Sequence, residues 1–345
     1  MKTFRRSWSL LVALLCSCVD PIHIETVNIG GELVISGQIS TLEDQSSLTI
    51  GTTADTERLP YPVSAATVVI YENGDSVGTY IESQATPGKY TLKNRTGIPG
   101  KTYQIRVSLT DGKSYWSTPE KMPANAGTVN SYYEHAREEY VDDEGTLSTK
   151  NFLKVYANAI LPSNETQYFR WVVDEVYTIV VSSPPGAPVT SPPCFVTQLA
   201  DPQYFVLLDR SNLFVTEVPD KLVAQRLVDE TFMYKHYLIT YQGALTAEAY
   251  DYWRKVDILV SGNGSLFDPP PAKIYGNIIQ NDKPGVEKVF GYFQATNQAV
   301  SRIFTRRQDF PYYLNFSDCQ SSFPPMRCTD CLSVRNSSYD RPPWF

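Results

Sequence analysis

Tyr103-Gln104-Ile105-Arg106-Val107-Ser108-Leu109, the turn Asp111-Gly112 and the answering run Ser114-Tyr115-Trp116-Ser117 decide the fold class. Polar and apolar residues alternate. One face of an extended strand would therefore carry Ile105, Val107 and Leu109, and the other Gln104, Arg106 and Ser108. Asp-Gly between two such runs signals a hairpin, because glycine accepts the positive φ of a tight turn.

The same pattern repeats upstream. Residues 33–39 and 47–51 read as short strands, and 67–71 is a β-branched run. That run closes at Glu72-Asn73-Gly74-Asp75, so 77–81 can return antiparallel. Pro87-Gly88 turns the chain before Lys89-Tyr90-Thr91-Leu92, and Pro99-Gly100 turns it again before the opening stretch. Short strands at this spacing, with no helix between them, predict a β-sandwich over residues 32–120, and this part of the chain also resembles the transthyretin/immunoglobulin-like sandwiches.

Downstream, 119–127 reads as a linker, and 128–345 as a larger β-rich domain with strands at 152–159, 168–181 and 291–295. The acidic segment 134–144 carries Glu134, Glu138, Glu139, Asp142, Asp143 and Glu144. It lacks the alternating ligands and central glycine of a calcium loop, so it reads as a solvated hairpin tip. The proline-rich stretch 182–193 reads as a stiff surface excursion. One amphipathic helix stands out near 246–261. Thr246 is its expected N-cap, with Leu245 and Tyr250 as a hydrophobic staple. Leu245, Ala249, Tyr252, Trp253, Val256, Leu259 and Val260 form an apolar stripe suited to packing on a sheet. The tail, ending Arg341-Pro342-Pro343-Trp344-Phe345, reads as coil pinned by disulfides.

The N-terminus places the protein. Lys2, Arg5 and Arg6 precede an apolar run at 8–15 that is too short to span a bilayer. Leu15-Cys16-Ser17-Cys18 resembles a lipobox, which makes 1–17 a lipoprotein signal peptide, Cys18 the lipid attachment site and 18–31 a tether. Acyl chains on Cys18 would hold the mature chain on a membrane. The net charge of −7 becomes more negative once the basic leader is gone, which argues against nucleic acid and against a basic membrane-binding face.

Cys194, Cys319, Cys328 and Cys331 remain, an even number that reads as two disulfides with three connectivities. The preferred pairing is Cys194–Cys319 with a small Cys328–Cys331 loop. His23, His135 and His236 lack paired metal spacing, so no metal site is expected. No Gly-x-Ser-x-Gly elbow and no singled-out carboxylate pair is present, so no catalytic residue, enzyme activity or cofactor is expected.

Several of these pieces recur in an ordered set: the Cys18 lipobox, the 33–39 strand, Pro62-Val63-Ser64-Ala65-Ala66-Thr67-Val68, Gly88-Lys89-Tyr90 and Pro99-Gly100-Lys101-Thr102-Tyr103. Asp111-Gly112-Lys113-Ser114-Tyr115, Tyr250-Asp251-Tyr252-Trp253, Phe267-Asp268-Pro269-Pro270, Gly276-Asn277, Gly291-Tyr292-Phe293 and the C-terminal cysteines complete it. Together they resemble the Bacteroidota lipoproteins catalogued as domain of unknown function 4249. The resemblance implies an outer-membrane location, on the cell surface or the periplasmic side, and pairing with a TonB-dependent transporter of the starch-utilisation type. It transfers no catalytic residues. The expected role is an accessory binding or docking component of that transporter. The 23 Tyr serve mainly as strand formers, but a phenol's apolar face and hydroxyl also suit a peptide or glycan ligand. The alternative is a structural or adhesive module with no small ligand of its own.

Overall fold

The computed structural model describes residues 31–54, 60–141, 145–163, 167–180, 192–200, 206–261, 273–280, 288–314 and 330–345. The signal peptide, most of the tether with Cys18, most of the proline-rich loop, the Phe267–Pro270 motif, Cys319 and Cys328 lie outside them. The first strands are β1 (Leu33–Ser40), β2 (Ser47–Thr52), β3 (Thr67–Glu72), β4 (Asp75–Glu82), β5 (Lys89–Thr91), β6 (Thr102–Ser108), β7 (Ser114–Ser117) and β8 (Glu120–Lys121). Then come β9 (Thr128–Val141), β10 (Leu147–Ile160), β11 (Tyr168–Ile179), β12 (Cys194–Leu199), β13 (Val206–Asp209), β14 (Glu217–Leu227) and β15 (His236–Leu245). Helix α1 (Ala247–Ser261) precedes β16 (Tyr275–Gln280), β17 (Lys288–Phe290), β18 (Phe293–Thr305) and β19 (Ser337–Ser338). The chain is mainly β, as its alternation predicts.

β6 buries Tyr103, Ile105 and Val107 and turns the residues between them outward. The β3–β4 turn places Asn73 and Gly74 at φ 52° and 95°. Paired positive values let a two-residue turn follow the right-handed twist of its strands.

Where the alternation points to an open two-sheet sandwich, the ladders close into a ring. It runs β1-β2-β5-β4-β3-β6-β7-β16-β17, and β17 returns to β1 through Val34 and Phe290. β16 and β17 come from beyond residue 270 and cover two edges that β1 to β7 alone leave open. Closure removes those edges and seals a core of Ile35, Ile50, Val68, Ile70, Ile105, Val107 and Tyr115. Glycines make the joint possible. A Cβ on Gly276 would stand 1.5 Å from the Gly291 carbonyl oxygen, and Gly291 has φ +88°.

β18 links the barrel to the rest. Its first residues pair in parallel with β1, and its remainder pairs antiparallel with β15. β15 is buried along its whole length, at the heart of a sheet that continues through β11 to β12 and β19. β9, β10 and β14 form a separate three-stranded sheet. The acids Glu134, Glu138 and Glu139, expected in a hairpin tip, lie within β9 itself. Leu153, Val155 and Ala157 of the small sheet pack against Phe169, Trp171 and Leu238 of the large one.

The other face of the large sheet is covered by α1 and by Trp344 and Phe345. Thr246 caps α1 by accepting from the Ala249 N–H at 3.1 Å. The Arg170 guanidinium lies 3.5 Å from the Trp253 ring centroid, and burial brings its pKa down to about 10. Leu245, Ala249, Tyr252 and Trp253 pack as the stripe predicts. Leu259 and Val260 do not; both are exposed, because the helix end extends past the packed surface. No helix among the described residues is long and apolar enough to cross a membrane.

Candidate functional site

Cys194 bonds Cys331, with Cα atoms 5.8 Å apart. This overturns the preferred Cys194–Cys319 and Cys328–Cys331 pairings. The reason is topological: β12 pairs antiparallel with β19 through Phe195↔Ser338 and Val196↔Ser337, which delivers the turn at Cys331–Ser333 to Cys194. Both cysteines are buried. The bridge is structural.

Two buried polar clusters bind the layers together. Glu175 on β11 accepts from Arg226 Nε at 3.0 Å and from Gln198 at 2.6 Å. His236 Nε2 lies 3.0 Å from the same carboxylate, and its ring stacks on Phe232 with centroids 4.0 Å apart. Glu175 and His236 are sealed from solvent. The second cluster joins the barrel to α1: Glu120 on β8 accepts from Thr246 Oγ1 at 2.9 Å and from the Tyr292 hydroxyl. Neither presents a reactive atom to solvent. Among the described residues no group of three or more His, Cys, Asp or Glu could hold a metal.

Among the described residues, an open groove of roughly 460 Å³ lies at one end of the small sheet, lined by Thr128, Val129, Asn130, Asn158, Ala159, Ile160, Glu217, Val218 and Pro219. Strand alternation sorts these side chains. Val129 and Ala159 turn into the core, while Thr128, Asn130, Asn158, Ile160 and Glu217 stand exposed. The β10–β14 ladder slips between Val155 and Tyr156 and again between Ala157 and Ala159. Such irregularities bend a strand and re-aim its side chains, which opens this end of the sheet. Gly127 admits the chain here: its φ is +76°, and a Cβ would meet the Ile160 carbonyl oxygen at 2.1 Å.

Beside the groove, Tyr132 and Tyr156 sit opposite each other in register and stack at 5.3 Å with an interplanar angle of 17°. The Tyr132 hydroxyl reaches over β10 and donates to Asp220 Oδ1 at 2.8 Å. That acceptor pushes the phenol up to about 12. Asp220 in turn donates its N–H to Asn158 Oδ1 at 2.9 Å, and it holds a positive φ of 48°. A non-glycine residue in that conformation costs energy, and such positions cluster at functional sites. No sequence reading names these residues. Their signal is Asn130-x-Tyr132 and Tyr156-x-Asn158, two period-two pairs that become legible once β9 is recognised as a strand.

Fold and groove together define a mainly β protein, with a closed barrel joined to a layered sheet pair that carries one solvent-open polar groove. The family model described as Domain of unknown function (DUF4249) matches residues 19–302, and the chain belongs to that family. The match covers the barrel and the groove and ends within β18, short of Cys331. No curated protein matches the chain.

Proposed function

We propose that the chain is an outer-membrane lipoprotein, anchored through Cys18, that binds a ligand in the groove as the accessory component of a TonB-dependent transporter. The groove carries this reading. Its volume falls in the small-ligand range of about 300–1,000 Å³, and side chains tied to one another converge beside it. The lipobox and the family resemblance support the location and the transporter. The chain holds its ligand without transforming it; in support, the buried carboxylate–imidazole pair Glu175–His236 lies inside the sheet stack.

A docking role draws on a separate observation. Phe214 is fully exposed and Leu213 more than half exposed, on the loop between β13 and β14. The loop is built rigid: the buried Arg210 donates to the carbonyls of Val215, at 2.8 Å, and of Pro162. A pre-formed apolar knuckle of this kind suits a protein contact.

Purification of the tagged chain from detergent-solubilised outer membranes tests both parts. A stoichiometric TonB-dependent transporter is expected alongside it, and Cys18→Ala is expected to release the chain from the membrane fraction. Arrival alone would overturn the transporter role, and continued membrane attachment of the variant would overturn the anchor.

A further inference from the structure

We propose that the groove takes an uncharged sugar, reading adjacent hydroxyls through Asn130, Asn158 and Glu217 beside the Tyr132–Tyr156 stack. The proposal rests on the groove being the ligand site and narrows that reading to one chemistry.

Backbone pairing argues against a peptide. An extended peptide joins a sheet through unpaired backbone donors and acceptors. β10, the floor of the groove, is paired on both sides here: Ala159 faces Val129 on one strand and Val218 on the other. On the outer side of β9 the Ser131 N–H already donates to Ser301 Oγ at 2.9 Å. The floor of the groove therefore offers a ligand side chains rather than a ladder edge, and on the β14 side Pro219 has no N–H to donate.

Those side chains suit hydroxyls. A carboxamide donates and accepts in one plane, and a carboxylate accepts at two oxygens. Adjacent sugar hydroxyls present donors and acceptors at matching spacing. Asn130 and Asn158 stand directly opposite each other in register, so two amides address one ligand from neighbouring strands. The aromatic pair adds the apolar component: a ring face is electron-rich and attracts the weakly positive C–H groups of a pyranose. The links Tyr132–Asp220 and Asp220–Asn158 fix these groups before any ligand arrives, which lowers the ordering cost of binding.

Charge selects within the sugars. Glu217 lines the groove, Asp220 stands beside it, and no Lys or Arg is among the lining residues. A uronate or sulfated sugar would bring like charge against these carboxylates, whereas a neutral sugar meets no such repulsion.

The test is calorimetric titration of the full chain in detergent with maltohexaose, cellohexaose, mannohexaose, polygalacturonate and an uncharged unstructured hexapeptide. At least one neutral hexasaccharide is expected to bind, with affinity falling about tenfold or more in Asn158→Ala. Polygalacturonate is expected to bind only after Glu217→Lys. Unchanged circular dichroism of the variants would show that a loss belongs to the site. Peptide binding that Asn158→Ala removes would overturn the sugar and leave the groove as a ligand site. A neutral sugar that binds Asn158→Ala unchanged would overturn the location. Silence toward every probe would overturn the sugar and the groove reading together.

Discussion

The Asn277 side chain meets the Phe293 backbone twice, donating from Nδ2 to the carbonyl at 2.8 Å and accepting from the N–H at 2.9 Å. One amide thus does the work of a strand neighbour where the barrel ring closes. Asn277→Ala would leave a buried N–H and a buried C=O unpaired. The expected destabilisation is about 2–4 kcal/mol, read as a lower urea midpoint. Asn277→Asp restores the acceptor but sets a second carboxylate oxygen against the Phe293 carbonyl, so at neutral pH it should cost no less than Asn277→Ala. Gly276→Ala should cost more than either, because its Cβ would overlap backbone rather than a movable side chain. A wild-type midpoint in Asn277→Ala would show that the closure does not depend on this amide.

The Cys194–Cys331 bridge spans 137 residues of sequence. A loop that long restricts the unfolded chain strongly, so Cys331→Ser should lose about 3–5 kcal/mol. Thermal melts with and without reductant check this. Reductant should lower the wild-type melting temperature toward that of the variant and move the variant less.

Barrel strands β1 to β7 were legible in sequence because each carries its own evidence: alternation such as Ile105 and Val107, and a turn marked by Asn73-Gly74 or Asp111-Gly112. Helix α1 was legible for the same reason, through Thr246 and its stripe. Closure of the ring was not, since Val34 and Phe290 meet only in three dimensions and nothing local to either announces it. β15 was missed because it is buried on both faces, with His236, Thr240 and Gln242 set among apolar residues, so no polar–apolar alternation is left to read. β9 was missed because Glu134, Glu138 and Glu139 look like a solvated tip, although Glu134 and Glu138 share one face of the strand and Glu139, near its end, takes the other. The groove depends on that strand, so it was missed too.

Glu120 predicts a stability that falls with rising pH. Burial lifts its pKa from 4.5 to about 7, against the opposing pull of the Tyr292 and Thr246 hydroxyls. A folded-state value above the unfolded one means that the folded chain keeps a proton the unfolded chain has released. The stabilisation is therefore complete below the unfolded value and is lost as pH rises through the folded one. By pH about 8 the loss should approach about 3 kcal/mol. Glu120→Gln keeps the shape without the charge. Its urea midpoint should decline less than that of the wild type from pH about 5 to 8, the remaining slope coming from Asp174, which burial raises to about 6. Parallel profiles would rule Glu120 out as the source.

Glu175 predicts the opposite limb. Burial works to raise its pKa, but the His236 hydrogen bond and charge, Arg226 and Gln198 outweigh it and hold the carboxyl below 4.5. A depressed folded-state value gives stability that is present above the unfolded pKa and lost as pH falls through the folded one. Acid should therefore unfold the sheet stack below pH about 4, where Glu120 no longer contributes a slope. Glu175→Gln leaves Arg226 buried with only Asp229 to balance it, at a cost of about 3–5 kcal/mol near neutral pH. Urea midpoints followed into acid should show the gap between wild type and variant narrowing, because protonation removes from the wild type the charge the variant already lacks. A gap of constant size throughout would mean that Glu175 acts through packing and not through its charge.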